Sequence, residues 1–152
     1  MEQAGRGNRR RRAASALVVG LLAALAAAGC TRGDAAPRGT LVAVHEWDFK
    51  LTTTRVLVPA GLVTFRIHNT GPSTHELNVD RTDIAADALP LRGDGLSVNE
   101  DSKRLTNIGG LDDIRMDTTR ELTLRLSPGH YVLYCNLEGH YLGGMYAIVQ
   151  VQ

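Results

Sequence analysis

The sequence predicts an all-β domain, a Greek-key β-sandwich that carries one long loop insert. Two observations lead to this prediction. Short segments alternate apolar and polar residues with the period of a half-buried strand, most clearly at Val63, Phe65 and Ile67. Turn-forming clusters of Gly, Pro and Asn separate these segments, as at 59–61 and 69–72. Short strands with turn signals between them are typical of a sandwich.

The strand signals begin near residue 41 and recur along the chain. Segment 41–44 is apolar and β-branched, and a period-two pattern of large apolar residues continues over 47–51 as Trp47, Phe49 and Leu51. Segment 122–126 repeats the alternation seen around Phe65. Segments 131–135 and 146–151 are more continuously apolar, which predicts more deeply buried strands.

Residues 80–119 interrupt this pattern. They are rich in Asp and Gly and show no sustained β alternation, with a helical turn expected around 84–89. Forty residues without strong structural signals inside a small domain are typical of a functional or accessory loop. We therefore expect one long loop insert here.

The first thirty residues have the composition of an export signal. Arg9–Arg12 form a basic region, and seventeen uncharged residues follow and end at Gly29. This run is shorter than the roughly 20 apolar residues of a spanning helix. Small residues before Cys30 resemble a bacterial lipoprotein cleavage box, so we expect a signal peptide over 1–29, cleaved before Cys30.

Lipidation of Cys30 would anchor the mature protein to the outer face of the cytoplasmic membrane. Residues 30–39 then form a short polar tether, and 40–152 form the folded domain. Ordinary signal cleavage and secretion is the alternative. The mature chain would carry 12 basic and 15 acidic residues, without a basic patch, so we do not expect nucleic acid as a partner.

One eleven-residue stretch contains three residues with metal-binding side chains, namely Cys135, His140 and Met145. A thiolate, an imidazole and a thioether are three of the four donors of a mononuclear blue copper site. His75 follows a turn and opens a predicted strand, so it is the expected source of the second imidazole. The three remaining histidines are expected at the surface: His45, His68 and His130.

Two segments resemble the cupredoxins, the type 1 blue copper superfamily. Residues 127–145 look like the family's C-terminal ligand loop, and the spacing Cys-x4-His-x4-Met is similar to the rusticyanin and sulfocyanin group. Residues 58–71, followed by His75, resemble the segment with the first histidine ligand. The resemblance covers about 40–152. Glu76 departs from the family pattern, in which Asn or Ser follows that histidine.

The resemblance implies a cupredoxin-like fold with one type 1 copper bound by His75, Cys135, His140 and Met145. The implied function is single-electron transfer at the cell envelope by a monomer that is not an enzyme. His140 would lie near the surface, where Leu137, Tyr141 and Leu142 form an apolar docking patch. Redox proteins, membrane respiratory complexes among them, are the expected partners. A periplasmic copper chaperone or sequestration protein is the alternative function.

Overall fold

The computed structural model describes residues 39–152, so the predicted signal peptide, Cys30 and nearly all of the tether lie outside the described residues. Nine strands form this part of the chain: β1 Thr40–Trp47, β2 Lys50–Thr53, β3 Leu57–Val58, β4 Gly61–Asn69, β5 His75–Arg81, β6 Thr106–Ile114, β7 Thr119–Leu126, β8 Gly129–Tyr134 and β9 Tyr146–Val151. Within 39–152, no helix is long and apolar enough to cross a membrane.

The strands form two sheets packed face to face. The first sheet has the order β2-β1-β4-β7, and the second has the order β3-β9-β8-β5-β6. Two pairs, β1 with β4 and β3 with β9, are parallel, and the other pairs are antiparallel. Strands that are distant in sequence thus become neighbours, and the predicted all-β sandwich is confirmed.

Inward-facing residues of both sheets form the main hydrophobic core. Val63, Phe65 and Ile67 of β4 are fully buried, as their alternation predicts. Leu133 of β8 and Val149 of β9 meet them from the second sheet. Burial of large apolar side chains on both inner faces provides the main stabilisation of a sandwich.

The predicted pattern over 47–51 is wrong for its two aromatic residues. Val42 and Val44 face the core, so the odd-numbered Trp47 lies on the outer face and is 53% exposed. Trp47 pairs with Lys50 across a two-residue turn, in which Phe49 has a φ of 63°. The turn breaks the period-two pattern, and Phe49 is 52% exposed.

The predicted loop insert is partly wrong, because its second half contains the strand β6. Strand β6 is the edge of the second sheet and pairs with β5 through two register shifts. Gly110 lies so close to β5 that a β-carbon there would be 2.7 Å from the carbonyl oxygen of Leu77. Glycines and bulges hide a strand from a pattern-based prediction. The expected helical turn is a hydrogen-bonded turn from Ala88 N to Ala85 O, 2.9 Å.

The irregular part of the insert, 82–105, packs on the outer face of the second sheet and forms a second apolar cluster. Leu89 and Val98 of the insert contact Val132 and Tyr134 of β8 there. The Tyr141 hydroxyl accepts a hydrogen bond from Leu89 N and donates one to Ala86 O, each 2.8 Å long. The buried Tyr141, which directly follows His140, therefore fastens the insert to the loop between β8 and β9.

We expect Tyr141→Phe to lower the free energy of unfolding by about 1–3 kcal/mol, because two buried backbone groups lose their partner. Urea denaturation of the purified protein measures this change. Tyr146→Phe is the matched control, since Tyr146 belongs to the same aromatic group but is partly exposed. Equal effects of the two substitutions would show that the insert does not depend on the Tyr141 hydroxyl.

Candidate metal centre

The loop between β8 and β9 is closed by backbone hydrogen bonds between its predicted metal-binding residues. Cys135 N donates to Met145 O at 3.1 Å, and Met145 N donates to His140 O at 3.0 Å. His140 N donates to Leu137 O at 3.0 Å, which makes a tight turn before the imidazole. The backbone thus holds the three side chains at one end of the sandwich.

His75 reaches the same end from β5 and completes the cluster. One donor atom from each of His75, Cys135 and His140 lies within 4.8 Å of the others. Cys135 Sγ is 3.5 Å from His140 Nδ1, and the two imidazole ring centroids are 5.2 Å apart. Met145 is fully buried in the same apolar cluster as Cys135. The structure therefore brings the four predicted residues together.

These side chains fit a metal ion. Neither ring nitrogen of the buried His75 has a well-aligned hydrogen bond within the described residues, which is costly for an imidazole without another partner. Burial lowers the pKa of His75, and the neighbouring His140 lowers it further, so the imidazole is neutral and able to donate a lone pair. Burial raises the pKa of the Cys135 thiol to about 11, and a bound cation would reverse this by stabilising the thiolate.

The other three histidines lie elsewhere in the described structure. His45 and His68 are Cα partners on β1 and β4, with ring centroids 6.5 Å apart. His68 Nδ1 lies 3.1 Å from Thr119 Oγ1, and His130 is exposed. None of these histidines reaches the cluster, as predicted.

Glu76 connects the two segments that supply the cluster. Its Oε1 accepts hydrogen bonds from Asn136 N at 3.0 Å and from Asn78 Nδ2 at 3.1 Å. Asn136 follows Cys135 directly, so the carboxylate fixes the start of the ligand loop relative to β5. The Asn136 side chain in turn accepts a hydrogen bond from Val98 N at 2.6 Å, which extends the connection to the insert.

The apolar surface near His140 differs from the expected one. Leu137 and Leu142 are exposed, but Tyr141 is buried because its hydroxyl bonds to the insert. Phe49 replaces it, with its ring centroid 5.1 Å from that of His140. We name Phe49, Leu137 and Leu142 the apolar rim. The contribution of Phe49 was not predicted, because it depends on the turn between β1 and β2.

Glu46 is a buried carboxylate that the sequence did not reveal as unusual. It continues the inward-facing positions of Val42 and Val44, and it is fully buried. Neither carboxylate oxygen has a hydrogen-bond partner within the described residues. Burial raises the pKa of Glu46 to about 8, and the nearby Glu76 contributes to the rise. The group is therefore a neutral acid in the folded protein at neutral pH.

Comparison with solved structures identifies the fold. Reduced auracyanin from Roseiflexus castenholzii superposes with a TM-score of 0.56 and 18% identity, covering 75% of this chain and 98% of that one. Auracyanin A, described as a "blue" copper protein from Chloroflexus aurantiacus, has a TM-score of 0.55 and 20% identity over 76% of this chain and 100% of its own. Rusticyanin from Thiobacillus ferrooxidans has a TM-score of 0.52 and 15% identity over 76% and 79%.

No protein-family model matches the chain, and no curated protein sequence matches it significantly. The predicted cupredoxin-like fold is confirmed by the structural likeness, and the arrangement of the cluster is consistent with it.

We expect the metal-free protein to lose stability between pH 5 and pH 8 in a way that depends on Glu46. Its pKa is 4.5 when exposed and about 8 in the folded state, so over this range the folded state holds a proton that the unfolded state releases. Stability then falls as the pH rises, by up to about 1.4 kcal/mol for each pH unit.

Urea denaturation at pH 5 and pH 8 measures this dependence. Glu46→Gln removes the titrating group. The free energy of unfolding of this variant, relative to that of the wild type, should therefore be higher at pH 8 than at pH 5 by a few kcal/mol. Glu138→Gln, at an exposed position, is the control and should follow the wild type. Parallel pH dependence of all three proteins would contradict the assignment.

Proposed function

We propose that this protein is a copper-binding electron-transfer protein with one mononuclear type 1 copper site. The observation that carries the proposal is the convergence of His75, Cys135 and His140, with donor atoms within 4.8 Å of one another, beside the buried Met145. The four residues come from two separated parts of the sequence, His75 from one and the stretch 135–145 from the other. The fold shared with a protein described as a "blue" copper protein supports the same interpretation.

The donor types favour copper over zinc. Two imidazoles and a thiolate suit either metal, but structural zinc sites use Cys, His and carboxylate donors rather than a thioether. A weakly bound methionine beside His2Cys is characteristic of blue copper electron-transfer sites. Full burial of Met145 next to Cys135 therefore supports copper.

The protein residues would hold the metal in one arrangement. When bound, copper would supply a one-electron couple between Cu(II) and Cu(I). Cys135 and Met145 are fixed by their mutual backbone hydrogen bond, and His75 is fixed in the core at the start of β5. Buried side chains on a hydrogen-bonded frame change little in position when the charge at the site changes, and this keeps reorganisation small.

We propose that electrons enter and leave at His140. This imidazole is only half-buried, whereas His75 is fully enclosed. The apolar rim around it, with Leu142 50% exposed, offers a small surface for transient contact with redox protein partners. Membrane respiratory complexes are the partners that we propose, and we assign no catalytic reaction to the site.

The alternative function, copper delivery or sequestration, requires a site that exchanges metal readily. The burial of His75, Cys135 and Met145 favours retention of the metal instead. Electron transfer is therefore the better-supported proposal.

We expect the purified protein loaded with Cu(II) to show an intense visible band from thiolate-to-copper charge transfer. Cys135→Ser should abolish the band, since the hydroxyl cannot act as the charge-transfer donor, while the fold remains because the sandwich core does not depend on this group. Visible absorption and circular dichroism test both parts. Met116→Leu, at an exposed sulfur outside the cluster, is the control and should keep the band. A blue Cys135→Ser protein would refute the proposed site.

We also propose that the protein is anchored through lipidated Cys30 on the outer face of the cytoplasmic membrane. The support is the basic and apolar leader with small residues before Cys30. One acyl chain gives only marginal membrane binding, and two or more make anchoring stable. A tether of about ten residues would keep the copper domain close to membrane-bound partners.

We expect Cys30→Ala to shift the protein from the membrane fraction to the soluble fraction, or to leave an unprocessed precursor, without loss of copper binding. Fractionation and mass spectrometry of the N-terminal peptide measure the outcome. Wild-type protein that begins beyond Cys30, or that is soluble without detergent, would establish ordinary secretion instead.

A further inference from the structure

A carboxylate lies against the buried imidazole of the metal cluster. Asp48 occupies the turn between β1 and β2, and its Oδ1 is 3.2 Å from Nε2 of His75. The contact joins the first sheet to the first residue of β5 in the second sheet.

The Asp48 side chain is held in place by a second turn. Its Oδ2 accepts a hydrogen bond from the Ser73 hydroxyl at 2.8 Å, and its Oδ1 accepts one from Ser73 N at 3.3 Å. Two bonds from one residue fix the plane of the carboxylate. Asp48 is therefore positioned independently of the imidazole that it faces.

The backbone leaves just enough room for this pair. A β-carbon at Gly71 would lie 2.8 Å from Asp48 Oδ1 and 3.1 Å from His75 Nε2. Both distances are shorter than ordinary van der Waals contact. A larger residue at position 71 would separate the carboxylate from the ring.

We infer that Asp48 is a positioning residue that keeps the proton of His75 on Nε2, so that Nδ1 presents its lone pair to the metal. This inference rests on the proposed function. A carboxylate favours a proton on the nitrogen that it faces, which fixes the tautomer and makes the other nitrogen a stronger donor. The negative charge also stabilises the more highly charged metal state, so it lowers the reduction potential.

The tautomer can be measured in the metal-free protein. Long-range proton–nitrogen correlation spectra at neutral pH should show His75 with a proton on Nε2 and none on Nδ1. Asp48→Ala should give a mixture of tautomers or a change to the Nδ1 form. A wild-type His75 that carries its proton on Nδ1 would overturn the inference, and this measurement requires neither a variant nor copper.

The reduction potential tests the second consequence. Asp48→Asn keeps the shape of the side chain but removes its charge, and it should favour Cu(I) at least tenfold, a rise of about 59 mV for a one-electron couple. Glu138→Gln removes one charge from the exposed part of the ligand loop and is the control. Equal shifts in the two variants would show that Asp48 contributes only to the overall charge, and would overturn the assigned role.

The two proposals fail in different ways. A wild-type protein without the intense visible band would refute the proposed copper site, while the tautomer measurement would still decide whether Asp48 orients His75. A blue wild-type protein with a normal band, whose metal-free form carries the His75 proton on Nδ1, would refute the role of Asp48 alone.

Discussion

The burial of polar and sulfur side chains at one end of an otherwise aliphatic core is the constraint on which the rest of this structure depends. His75 and Cys135 are enclosed there, and neither imidazole nitrogen of His75 has a well-aligned hydrogen bond within residues 39–152. Such a group costs free energy unless another partner satisfies it. A metal ion bound between the imidazoles and the thiol would take the lone pair of one His75 nitrogen, and Asp48 lies 3.2 Å from the other nitrogen. The proposed function thus explains why an imidazole without a well-aligned hydrogen bond is buried in the core.

Residues outside the cluster hold its metal-binding side chains in position. Backbone hydrogen bonds close the loop between Cys135 and Met145, and Glu76 holds the residue after Cys135 against β5. Asp48 contacts His75 from the first sheet. The carboxylates are attached to different elements, so both sheets and the ligand loop are joined at the cluster. This arrangement requires the complete sandwich and could not form from the loop alone.

How much of this could be predicted depended on the range of the interactions involved. The strand β4 and the ligand loop were predictable, because alternation at Phe65 and the spacing from Cys135 to Met145 are local properties of the sequence. The exposure of Phe49 was not, since a two-residue turn reverses the direction of the chain before the pattern resumes. Strand β6 was not predicted from the sequence, because its pairing with β5 is interrupted by bulges and glycines. The roles of Glu46 and Asp48 depend on contacts between segments that are distant in sequence. The residues next to each acid in the chain do not reveal these contacts.

Burial and charge act in opposite directions on the potential of the proposed site. An apolar enclosure disfavours the more highly charged metal state, whereas nearby carboxylates favour it. Glu46 and Asp48 do not have equal effects on the reduction potential. Burial raises the pKa of Glu46 to about 8, so this residue is neutral at pH 7 and adds little charge. Asp48 is partly exposed and bonded to Ser73, and it lies 3.2 Å from the imidazole. The buried acid is closer to the core but uncharged, so the residue in the turn has the larger electrostatic influence on His75.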